Sequence, residues 1–79
     1  MKERFIPLHM MPIGSKGKVK DLLAKDDARR RMLDLGLVND TFVEALRKSP
    51  SGDPIAYQIR GAVIALRSEE ASNIMVEMV

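Results

Sequence analysis

The chain has 79 residues, 46% of them apolar and 30% charged, a balance that suits one small folded domain and not a disordered chain. With no cysteine and a single histidine, His9, it offers no disulfide framework, thiolate metal centre or thiol nucleophile, and none of the paired spacings of zinc and iron sites. The net charge of +2 conceals an asymmetry, nine basic and four acidic residues over Met1 to Arg31 against four and seven over Met32 to Val79; such a basic end serves solubility first and an acidic partner second.

The opening segment joins a basic start to apolar residues, but Pro7, His9 and Pro12 interrupt the run and no small-residue cleavage site follows. No stretch approaches the ~20 apolar residues of a membrane span, so a soluble, unprocessed, cytoplasmic chain is expected. Phe5 to Ile13 reads as an edge strand or extended lead-in, and Ile13-Gly14 as a turn. Lys16, Lys18 and Lys20 then alternate with Gly17 and Val19, which puts the lysines on one strand face. A wet face explains them; a nucleic-acid stripe would need interleaved aromatics, and of Phe5, Phe42 and Tyr57 two are expected to point inward.

The segment from Asp26 to Thr41 has a helical period, with Ala28, Met32 and Leu35 on one face and Arg29, Arg30 and Asp34 elsewhere. Asp26 or Asp27 can accept from the free N–H groups at its start. Gly36 ends the helix by adopting positive φ, with Leu37 folding back toward Met32. One helix over about residues 26–35 is therefore expected, lying on a sheet.

After a turn at Val38 to Thr41, the strand Thr41 to Lys48 has apolar residues on both faces, and alternation does not choose between them. Ser49 to Pro54 is the strongest loop signal in the chain, with Gly52 at its centre. Ile55, Tyr57 and Ile59 then share one face and Ala56, Gln58 and Arg60 the other. Gly61 marks a tight turn or sharp bend before Ala62 to Arg67, and Ser68 is the expected N-cap of one helical turn through Ala71. Ile74 to Val79 forms the last strand. The expected fold is mostly β: five or six short strands and one packed helix, curled into a small barrel over residues 1–79.

Leu35-Gly36-Leu37, Pro50 with Gly52-Asp53-Pro54, Arg60-Gly61 and Ala65-Leu66-Arg67, in this order and spacing, strongly resemble the FeoA family of ferrous iron transport proteins. Two departures stand out: Asn39-Asp40 replaces a frequent Pro-Gly turn, and Met32 stands where leucine is usual. The resemblance implies an SH3-like barrel, membership in iron homeostasis, and work beside the FeoB permease with its GTP-binding domain. A second class is implied by the same fold, the regulatory SH3-like domain of iron-dependent repressors, and a third reading is a nucleic-acid-binding small barrel.

Neither catalysis nor a bound cofactor is expected. The Pro50 to Pro54 loop lacks the GxxxxGK[ST] pattern of phosphate binding, and His9 has no positioned nucleophile. Charge asymmetry and the family association nominate a docking face made of Arg30, Arg31, Leu37, Arg47 and Arg60, with Gly36, Gly52 and Gly61 as structural turns. Self-association is left open by the edge strands.

Overall fold

Strand pairing organises the structure. The computed structural model describes residues 5–79, and within them β1 (Phe5–Pro7), β2 (Lys16–Leu22), β3 (Phe42–Lys48), β4 (Ile55–Ile59), β5 (Ala62–Leu66) and β6 (Ile74–Met78) form one antiparallel sheet in the order β1-β6-β2-β3-β4-β5. A 3-10 turn (Leu8–Met10) follows β1, α1 (Asp26–Asp34) connects β2 to β3, and α2 (Ser68–Ala71) connects β5 to β6.

Period-two alternation buries Gly17 and Val19 of β2, Val43 and Ala45 of β3, Ile55, Tyr57 and Ile59 of β4, and Ile74 and Val76 of β6. These side chains share a single core with Leu8, Met11, Met32 and Leu37. A sheet whose one buried face meets itself must curl, and β-bulges between Val19 and Asp21 and between Ala45 and Arg47 supply local bending. The expected SH3-like, mostly β fold is present. The barrel is not closed by hydrogen bonds, however, because β1 and β5 remain the two edges of the order.

The hairpins follow their turn residues. Arg60 (φ 51) and Gly61 (φ 83) are the central pair of the turn between Ile59 and Ala62, so the expected turn at Gly61 is a two-residue hairpin connection. Gly52 (φ 91) donates its N–H to the Ser49 carbonyl at 2.8 Å in the β3–β4 loop.

The stop of α1 is as the sequence predicts. Leu37 N–H bonds to Met32 C=O and Gly36 N–H to Leu33 C=O, both at 3.0 Å, with Gly36 at φ 96. Its start and its packing differ from expectation. Lys25, not an aspartate, occupies the N-cap position and makes no side-chain cap bond, so Asp26 and Asp27 act there only through their charge. Of α1's own residues only Met32 is buried; Ala28 is exposed and Leu35 half-buried. Leu8 and Met11, from the connection between β1 and β2, share the core with the strand residues, and α1 stands at its rim, reaching it from its own length only through Met32.

Candidate partner-binding surface

The outer face of the sheet is organised by register. Lys18 lies opposite Phe42 on β3 and Glu77 on β6, and Lys16 lies opposite Glu44. Lys18 Nζ sits 5.5 Å from the centre of the Phe42 ring. Lys20 Nζ donates to Asp40 Oδ1 at 2.6 Å, with Glu77 at 3.7 Å. The hydrogen bond raises the Lys20 pKa and lowers that of Asp40. The lysine row is thus a wet strand face whose charges are partly answered within the chain.

Two of the three aromatic residues do not point inward. Phe42 is 56% exposed and Phe5 46%, and only Tyr57 is in the core. Because β3 has apolar residues on both faces, the burial of Val43 and Ala45 turns Phe42 outward. Phe42 and Val79, with Lys16, Glu44, Gln58 and Arg60, line an open groove of about 580 Å3.

A second, smaller groove of about 130 Å3 runs between α1 and β2. Leu33 and Val38 are exposed along it, Leu37 lies beneath, and Lys20, Asp21 and Arg29 border it. Arg29 Nη1 donates to the Leu22 carbonyl at 3.0 Å, which holds α1 against the end of β2.

The nominated residues do not form one surface. Leu37 is fully buried, because the Schellman stop folds it into the core, and it cannot touch a partner. Arg31 Nη1 forms an ion pair with Glu70 and so links α1 to α2. Arg30 is exposed, and among the described residues it has no ion pair or side-chain hydrogen bond. Arg60 lies over Gly36: a Cβ placed on that glycine would come within 2.7 Å of Arg60 Cδ. Arg47 pairs in register with Ala56, at the end of the β3–β4 hairpin away from Arg60. Arg30 and Arg60 therefore flank the α1 end of the molecule, and Arg47 stands apart.

Three features escaped the sequence reading. Exposure of Leu33 and Val38 depends on α1 standing at the rim, exposure of Phe42 on which face of β3 is buried, and the role of Asp53 on a contact with Ser68. Among the described residues, no three of His, Asp and Glu converge as a metal site would require. No helix among them is long and apolar enough to cross a membrane. Exposed apolar side chains rimmed by arginine and lysine are suited to holding another protein.

A model of the FeoA domain matches residues 6–78. A FeoA-like protein from Clostridium acetobutylicum is 38% identical, with 100% of this chain and 91% of that one covered and a TM-score of 0.89. FeoA of Stenotrophomonas maltophilia, crystallised with zinc and described as an SH3 domain protein, is 30% identical over 87% of this chain and 86% of its own, with a TM-score of 0.78. A fusion of Fe(2+) transport protein A with the Fe(2+) transporter FeoB in Porphyromonas gingivalis is 33% identical over 51 residues, 65% of this chain but 6% of the fusion protein. A manganese-dependent transcriptional repressor shares the fold alone: it is 21% identical, with 100% of this chain and 44% of the repressor covered and a TM-score of 0.87.

Proposed function

The chain belongs to the FeoA family, which is linked to ferrous iron transport, and from this premise we propose that it is a cytoplasmic, non-enzymatic accessory protein that binds the FeoB-type GTP-binding permease. The fusion protein carries this reading. A single chain that joins a relative of this domain to the transporter holds the two at high effective concentration, an arrangement that favours even a weak contact between them.

The surface in best accord with that role is the α1 end. Arg30 is exposed with no ion pair among the described residues, Arg60 lies over Gly36 at the end of α1, and Leu33 and Val38 supply exposed apolar area along the groove between α1 and β2. Arg31 contributes by holding α1 to α2. Residues 1–79 act as one SH3-like unit, reaching the membrane only through the partner. The repressor likeness supports a common fold and no shared task.

Tagged co-purification from detergent-solubilised membranes, at low and moderate salt, tests the proposal. Recovery of the permease is expected. Recovery of nucleic acid or a DNA-binding protein, with no membrane partner at either salt, overturns it.

A further inference from the structure

The two edges of the sheet are finished differently. β1 is three residues long and ends at Pro7, so it offers little to an incoming strand. β5 has five residues, Ala62–Leu66, with no charge, proline or glycine among them; Val63 is 60% exposed, and Ala62 and Ala65 are exposed as well. Ile59 and Ala62 close the Arg60-Gly61 turn as a hydrogen-bonded pair, so alternation down the ladder turns the N–H and C=O of Val63 and Ala65 away from β4. Among the described residues, no backbone group outside the β4–β5 ladder bonds to them. Free edges of this kind are ordinarily charged, kinked or covered.

Positive charge stands at both ends of this edge. Arg60 precedes β5, and Arg67 follows it with only a loose contact to Asp53 at 3.7 Å. On the outer face the small side chains of Ala56 and Ala65 leave a groove of about 290 Å3 bounded by Arg47 and Lys48. A second copy paired antiparallel through Val63 and Ala65 would set Arg67 of each chain beside Gly61 and Arg60 of the other, and would do so twice by symmetry. Like charges therefore oppose self-pairing and favour an acidic occupant.

We infer that β5 is a strand-addition site for an extended partner segment, apolar at its centre and acidic toward both ends, with one carboxylate reaching over Ala65 and Ala56 to Arg47 and Lys48. This deepens the transporter reading and rests on it, since the segment belongs to the permease. Backbone hydrogen bonds to Val63 and Ala65 supply affinity, and the flanking arginines select the acidic sequence and its direction.

The full chain and its Val63→Pro variant are immobilised and titrated with detergent-solubilised FeoB-type permease, and amide NMR spectra verify the fold of each. Proline at 63 removes an N–H that faces away from β4, so the ladder survives. Binding is expected to weaken about tenfold or more in Val63→Pro. A smaller loss in Arg47→Glu should shrink as salt rises. Should Val63→Pro misfold, Ala65→Pro is read in its place by the same geometry. Equal binding by the parent and the folded proline variant overturns the edge assignment and leaves the transporter reading standing. No binding by the parent chain at low salt overturns both. A dimer of this chain abolished by Val63→Pro, with permease binding unchanged, assigns the edge to a second copy and likewise overturns the inference.

Discussion

Asp53 Oδ1 accepts two hydrogen bonds from Ser68, one from its backbone N–H at 2.8 Å and one from its hydroxyl at 3.0 Å. The β3–β4 loop thereby caps α2 from a distance of fifteen residues in sequence. Arg67, and not Ser68, stands at the N-cap position, where its N–H donates to Glu70 Oε1 at 3.2 Å. Asp53→Ala is expected to cost about 1–2 kcal/mol, as loss of a capping carboxylate does, and Ser68→Ala about half of that. Urea denaturation measures both; an unchanged midpoint in Asp53→Ala would show that the contact contributes nothing.

Gly36 and Arg60 make the second prediction. Gly36 holds φ 96, where any Cβ is strained, and Arg60 Cδ occupies the space a Cβ would need. Gly36→Ala should cost about 1–2 kcal/mol for the backbone alone, with a further loss for moving Arg60. Arg60→Ala in the same chain relieves the second part and not the first. The two substitutions should therefore destabilise less together than the sum of their separate effects.

Local chemistry explains what was legible before the structure. The stop at Gly36, the Arg60-Gly61 turn and the inward set Ile55, Tyr57 and Ile59 each follow from a few neighbouring residues. What was not legible is non-local. Ala28 is exposed because α1 stands at the rim and meets the core only through Met32, and Arg31 is engaged by Glu70 from a later helix. Phe42 and Val43 were equal candidates for the core until β3 found its place between β2 and β4. Leu37 illustrates both sides: the glycine stop was readable, and the same stop removes Leu37 from the surface.

Tyr57 predicts a pH dependence. Its ring is fully buried, its hydroxyl has no hydrogen-bond partner among the described residues, and burial, with the nearby charge of Asp53 second, pushes its pKa up to about 12. The folded chain thus holds this proton more tightly than the unfolded chain, whose tyrosine titrates near pH ~10. Stability from the neutral phenol is complete below about pH 10 and is lost as pH rises toward 12, by on the order of 2–3 kcal/mol. Tyr57→Phe should flatten that decline and gain about 1 kcal/mol at neutral pH by removing an unsatisfied hydroxyl. Denaturation of both chains at pH 7 and near pH 11 checks this; parallel losses would place the alkaline sensitivity elsewhere.

Arg30 and Arg31 are neighbours in sequence with separable roles. Arg30→Glu removes no ion pair among the described residues and lies at an exposed position, so stability should change by less than about 0.5 kcal/mol. Its effect should appear in permease binding, as a several-fold loss at low salt that narrows as salt screens the surface. Arg31→Glu places an acid against Glu70 and loosens α1 from α2, although the exposure of the Arg31 side chain, 57%, keeps the energetic cost small. The charge-swapped pair Arg31→Glu with Glu70→Arg restores the link between the helices while leaving the docking face altered. Binding that returns in the swapped pair shows that Arg31 acts by holding α1 in place. Binding that stays weak shows that its guanidinium meets the partner directly, as a residue whose contact with Glu70 is exchanged for an acidic group on the transporter.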